Sequence, residues 1–185
     1  MRQADGIREA LSREKTGIPW KRHDKERIAG LYIRLLDLGP EAMSADERAE
    51  AAKYCKVACY SATYGTASLE YVPLFSRYAR LADPAGTSDP FLTIDCLKAE
   101  AGAAGKLGRE NLPLLRRVLR LLRQPALQSP VLRTDRITKT ASVLRSMAEA
   151  SHRAGRPARA LRLAGLAIAV FAGKNTRTAK KPSAK

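Results

Sequence analysis

The chain has 185 residues and a formal net charge of +16, from 34 Lys+Arg against 18 Asp+Glu. That length suits one domain with a short tail and can bury a sizeable core. Three cysteines in a chain this long do not make a disulfide scaffold and fit a reducing, intracellular compartment, either cytoplasm or mitochondrial matrix. The N-terminal MRQADGIREALSREK has no apolar core and carries Asp5, Glu9 and Glu14, which argues against a secretory signal or a transit peptide.

Helical periodicity runs through the chain. Residues 1–20 read as an N-terminal helical segment, with Trp20 placed to anchor it on the core that follows. Ile28, Leu31, Tyr32 and Leu35 form an i, i+3, i+4, i+7 stripe that stops at Gly39-Pro40. Ser44 and Glu47 have capping-box spacing and predict a helix to about Tyr64, closed by Gly65. A partner helix carries Leu69, Pro73, Phe75 and Tyr78. ADPAGTSDP (82–90) is a loop in which Ser88 or Asp89 caps a helix to about Ala104. Asn111-Leu112-Pro113 opens the next helix, since proline costs little in a first turn. QPALQSP (124–130) is a loop, and helices over 135–154 and 157–172 meet at Gly155-Arg156-Pro157. The expected organisation is a single helical domain over 21–172, followed by a disordered basic tail over 173–185. The apolar run LAGLAIAVFAG (163–173) is too short to cross a bilayer.

One pattern recurs. Val57-Ala58, Ser61 and Gly65 share their spacing with Leu97-Lys98, Ala101 and Gly105, and with Met147-Ala148, Ser151 and Gly155. Small residues let helices approach closely, and a glycine in the left-handed conformation ends the first of the two. In the last copy Ala160, Ala164 and Ala167 follow, and over 147–168 these offsets resemble the small positions of the tetratricopeptide repeat, a 34-residue helical hairpin. The resemblance implies stacked antiparallel helical hairpins. The fold class expected is therefore all-α, a short α-solenoid or a compact bundle.

Catalytic and metal chemistry find little support. His23 and His152 are the two histidines, and Ser151 and His152, being adjacent on a helix, point to different faces. Cys55 and Cys59 lie mid-helix on a patterned face, where buried small apolar residues are expected rather than the knuckle of a zinc site. The aromatics from Tyr54 to Tyr78, including Tyr60, Tyr64, Tyr71 and Phe75, have core spacing, with base stacking on an exposed platform as the competing role. No enzyme, cofactor or metal is expected.

Charge patterning is the strongest functional signal. Residues 1–100 hold 15 basic and 15 acidic side chains, whereas residues 101–185 hold 19 basic and 3 acidic, namely Glu110, Asp135 and Glu149. Within LPLLRRVLRLLR (112–123), Arg116, Arg120 and Arg123 continue a line begun by Arg109, with Arg117 beside it. Leu112, Leu115, Val118, Leu119 and Leu122 take the other side. Arg153, Arg156, Arg159 and Arg162 recur every three residues, and Arg133, Arg136, Lys139 and Arg145 add to the same region. Lys180 and Lys181 belong to the tail. Guanidinium forks suit phosphates, and a flexible lysine-rich tail suits sequence-independent attraction.

These residues together are the expected nucleic-acid-binding set. RNA is preferred to DNA because no helix-turn-helix or zinc-finger signature is present. The expectation is a non-enzymatic component of a ribosome or other ribonucleoprotein, with the balanced half, 21–100, on protein neighbours and the basic half, 101–172, on RNA. The alternative is a helical-repeat adaptor for an acidic partner, which should show a groove with exposed apolar anchors. A lipid-surface role requires exposed leucines beside the arginines, which the expected burial of Leu115, Leu119 and Leu122 opposes.

Overall fold

The computed structural model describes residues 2–17, 19–20, 24–65 and 68–178, with backbone alone for 174–178. Eight helices follow in order: α1 (Arg2–Lys15), α2 (Lys25–Asp37), α3 (Ala45–Tyr64), α4 (Val72–Ala82), α5 (Leu92–Lys106), α6 (Leu112–Leu121), α7 (Arg133–Arg153) and α8 (Pro157–Thr178). Short 3-10 turns occupy Pro40–Ala42, Leu69–Tyr71 and Pro125–Leu127. Among the described residues there is no strand, so the fold is all-α.

The chain divides into two compact units, Met1–Gly108 and Arg109–Lys185, where the sequence suggests one domain over 21–172. The residues expected as a separate N-terminal segment belong to the first unit. Ile7 and Leu11, one turn apart on α1, enter its core. On the same helix, Arg8 reaches Glu47 of α3 at 2.6 Å and Lys15 reaches Glu50 at 2.7 Å. The boundary falls at Gly108, whose φ of +71° follows the end of α5.

In the first unit α3 packs against α2, α4 and α5. Its buried residues are mostly small, Ala51, Ala52, Cys55, Ala58, Cys59 and Ala62 beside Tyr54 and Thr63, which allows close helix approach. At Thr63 the hydroxyl donates to Cys59 O of its own helix at 2.6 Å and lies 3.4 Å from Ala99 O of α5. A Cβ on Gly102 of α5 would stand 3.0 Å from the Thr63 methyl. Ser44 opens α3 with the expected capping box, its Oγ accepting from Glu47 N and Glu47 Oε2 accepting from Ser44 N at 2.9 Å.

The start of α5 differs from expectation. Neither Ser88 nor Asp89 caps it, and the helix begins at Leu92. Ser88 instead donates through N and Oγ to Asp83, which also accepts from Thr87, so Asp83 organises the loop. Asp89 accepts from Phe91 N at 2.8 Å and pairs with Lys56.

The recurring small-residue pattern has three different outcomes. Gly155 behaves as expected, with φ +68° at the end of α7. Gly155 N donates to His152 O and Arg156 N to Ser151 O, each at 2.9 Å, the two bonds of a Schellman closure. Gly65 is extended at φ −101°, and its role is close approach, because a Cβ there would lie 2.6 Å from Ser61 O. Gly105 lies inside α5, and Gly108 takes the left-handed position. Of the three patterned glycines, only Gly155 takes the left-handed conformation at a helix end.

The second unit holds α6, α7 and α8, with both α6 and α8 packed on α7. α8 continues to Thr178, well into the stretch expected as tail. Residues 179–185, with Lys180 and Lys181, lie outside the described residues, as does His23.

A candidate nucleic-acid interface

α6 resolves the opposition within LPLLRRVLRLLR. Leu112, Leu115 and Val118 are buried, as is Leu122 just past the helix end, and Leu119 is half-buried. Arg116, Arg117, Arg120 and Arg123 are exposed, and Arg109 is exposed ahead of the helix. Sorting of this kind follows from a 3.6-residue period, in which i, i+3 and i+7 share a face. From Arg116 to Arg120 the line covers about 6 Å of helix axis, and Arg123 follows just past the helix end.

The two units treat their charges differently. Met1–Gly108 carries 16 basic and 15 acidic residues, and Arg109–Lys185 carries 18 and 3. In the first unit cations are matched across helices: Arg8–Glu47, Lys15–Glu50, Arg27–Glu14 at 2.9 Å, Arg80–Glu100 at 3.0 Å, and Lys56–Asp89. In the second, Arg145 and Glu149 of α7 form an exposed i, i+4 pair at 3.6 Å. Among the described residues the four arginines of 112–123 form no ion pair. Their charge is left to solvent and to whatever anion approaches.

The remaining predicted residues are less uniform. Arg153, Arg156 and Arg162 are exposed at the α7–α8 turn and on α8, while Arg159 is half-buried. Arg133, Arg136 and Lys139 are also half-buried, and the Arg136 Nε is fully buried with no hydrogen-bond partner. Arg136 therefore turns partly inward, because it lies on the flank of α7 between its packed and open sides. Of the residues expected to meet nucleic acid, Arg109, the four arginines of 112–123, Arg153, Arg156 and Arg162 are the exposed ones among the described residues.

Other candidates separate cleanly. Cys55, Cys59 and Cys96 are buried free thiols. Burial, with Cys96 nearby, pushes the Cys55 thiol up to about 12. A hydrogen bond with Cys96 and then burial raise Cys59 as well, so both remain protonated and unreactive. Among the described residues no cluster of three or more His, Cys, Asp or Glu is placed to hold a metal. Ser151 is buried and His152 exposed, as their adjacency predicts.

The aromatic group divides. Tyr54 and Phe75 are core, but Tyr64 and Tyr71 are exposed. Tyr64 lies at the last residue of α3, where its ring stacks on Tyr60 at 6.0 Å and carries Lys106 Nζ 5.4 Å from its centroid. Core spacing misplaces these two because each stands where a helix begins or ends and the packing partner has run out. Trp20 meets Tyr54 at 4.7 Å, with Lys25 and Lys53 over its face at 3.6 and 4.3 Å, and so does anchor its segment.

A further exposed surface lies on α8. Leu161, Leu166, Ile168 and Phe171 are 74%, 54%, 70% and 47% exposed. Beside them an open groove of about 720 Å³ runs between α7 and α8, lined by Thr138, Ala141, Ser142 and Arg145 on one side and Ala164, Ala167, Ile168 and Phe171 on the other. The signal was present in LAGLAIAVFAG, which is apolar all round. A single packed stripe on α7 cannot bury such a helix.

Fold and surface together define an all-α protein of two helical units, the second strongly basic. No family model, curated protein or solved structure matches the chain. No described helix is long and apolar enough to cross a membrane.

Proposed function

We propose that the chain is a non-enzymatic RNA-associated protein, a structural component of a ribosome or another ribonucleoprotein, that docks its C-terminal unit on RNA phosphates. The observation that carries this reading is the line of exposed arginines without ion pairs on α6, set on buried leucines in a unit with 18 basic and 3 acidic residues. Uncompensated like charge destabilises a compact unit until a polyanion relieves it. Guanidinium groups meet phosphate oxygens bidentately and retain their charge at any physiological pH. The charge-matched first unit, including residues 21–100, is left for protein neighbours. The α7–α8 hairpin is of the tetratricopeptide type, and the buried reduced thiols suit a reducing intracellular compartment.

An adaptor for an acidic protein would use the same cations, and competition separates the two. Full-length protein is bound to a labelled, mixed-sequence structured RNA, then challenged with unlabelled RNA or with polyglutamate at equal charge. Displacement by RNA at much lower concentration than by polyglutamate is expected. Equal displacement by the two would replace RNA with an acidic protein partner.

A further inference from the structure

Trp20 is the single tryptophan of the chain, and two ammoniums converge on it. Lys25 Nζ lies 3.6 Å and Lys53 Nζ 4.3 Å from its ring centroid, and Lys25 Nζ also donates to Trp20 O. Among the described residues neither lysine forms an ion pair. Burial, and then the Lys53 charge, lowers the Lys25 pKa, the direction expected of a half-buried cation beside a like charge. An anion held by both ammoniums relieves that repulsion.

Lys53 also lines an open cavity of about 400 Å³ within the first unit, beside Glu50, Lys56, Ser88 and Asp89, with Ala49 and Leu92 as its apolar part. Cavities of about 300 to 1,000 Å³ are those that hold small organic ligands. Both carboxylates of this wall are already matched. Glu50 accepts from Lys15 Nζ at 2.7 Å and from the Tyr32 hydroxyl. Asp89 pairs with Lys56 and accepts from Phe91 N. Lys53 acts on Glu50 through space, but Lys15 already balances that charge. The positive charges of Lys25 and Lys53 are left over. A carboxylate has about four lone-pair positions, so Glu50 and Asp89 still accept hydroxyl donors.

We propose that Lys25 and Lys53 bind the phosphate of a small hydroxylated phosphomonoester, such as a sugar phosphate, whose organic part occupies the cavity between α3 and residues 88–92. A phosphomonoester carries about −1.5 to −2 charges at neutral pH and so matches two ammoniums, whereas a carboxylate or a phosphodiester brings one. Lysine meets phosphate as a point charge with three rotatable donors, which suits two side chains arriving from different helices. The carboxylates of Glu50 and Asp89 take the ligand hydroxyls. Internal RNA phosphates are diesters, so the site does not rest on the RNA reading.

The fluorescence of the full chain reports this site directly, because its one tryptophan lies under both ammoniums. Ribose 5-phosphate, titrated at about 50 mM salt to limit screening, is expected to change the Trp20 emission saturably, with a Kd of about 0.1 to 1 mM. Calorimetry should give one site of the same affinity. Ribose should not bind, and dimethyl phosphate, a singly charged diester, should bind at least about tenfold more weakly. Lys53→Gln should weaken ribose 5-phosphate by at least about tenfold, and Lys53→Arg, which keeps the charge, should retain most of the affinity. Lys53 is exposed, so its replacement should leave the helicity seen by circular dichroism intact. Lys25→Gln gives the same direction if it does not. No saturable binding by either method, equal affinity for dimethyl phosphate, or equal affinity of Lys53→Gln and wild type would overturn the proposal. Loss of the ligand in Arg116→Gln/Arg120→Gln/Arg123→Gln but not in Lys53→Gln would move the binding to α6 and also overturn it.

Discussion

Arg117 and Val118 are neighbours in sequence and opposites in environment, the first exposed and the second at 0% exposure. At this scale the identity of a residue and its phase on the helix decide its role. The arginines of α6 were legible because a 3.6-residue period leaves them no place in the core. The glycines were less so, because the same residue type serves two different physical needs. At Gly155 the need is a left-handed backbone, and at Gly65 it is the absence of a Cβ beside Ser61 O. Gly155→Ala should cost about 1 kcal/mol of stability through backbone strain. Gly65→Ala should cost at least as much, since the carbonyl that it meets is backbone and cannot rotate away. Thermal unfolding of the two variants checks this. Loss at Gly155 with none at Gly65 would mean that the α3 terminus relaxes freely.

Among the elements, α3 was read almost to the residue, since Ser44, Glu47 and Gly65 mark both of its ends. The starts of α5 and α7 were not. Ser88 and Asp89 are good caps in isolation, but their hydrogen bonds go to Asp83, Phe91 and Lys56 once the loop has folded. α8 was the least legible, because an all-apolar helix does not reveal which of its sides lacks a partner. Beyond Trp20, nothing in the sequence of residues 1–20 ties them to the next helices, yet two basic residues of α1 hold it to α3. The Arg8 hydrogen bond keeps the Glu47 carboxyl below the usual carboxylate range. Partial burial raises Glu50, but hydrogen bonds from Lys15 and Tyr32 outweigh it, so Glu50 is also lowered.

A carboxylate whose pKa is depressed in the folded state stabilises that state fully above its unfolded value, about 4.3, and the contribution is lost as pH falls through the lower folded value. The first unit should therefore lose stability below about pH 4, and α1 should release early in that loss. Glu47→Gln should flatten the pH dependence of thermal unfolding below that point. An unchanged slope would remove Glu47 from the linkage.

For the molecule as a whole, the charge asymmetry was plain in the sequence and nearly coincides with the division at Gly108–Arg109. The division itself was not legible, since the break at Gly108 between α5 and α6 looks in sequence like the other helix–helix turns and only the spatial grouping of helices separates the units. The first unit pairs several of its cations across helices, and the second leaves the four arginines of 112–123 exposed and without ion pairs among the described residues. The central claim is that the exposed arginines of α6 neutralise RNA phosphates. The most direct measurement is the affinity of the full chain for a structured RNA across a salt series, beside Arg116→Gln/Arg120→Gln/Arg123→Gln. Each phosphate contact contributes roughly 0.7 to 0.9 to the slope of log affinity against log salt. The wild type should bind tightly and weaken steeply with salt, and the variant slope should be shallower by about 2 to 3. Equal slopes would take α6 out of the interface, and negligible binding by both proteins near physiological salt would contradict the RNA reading altogether.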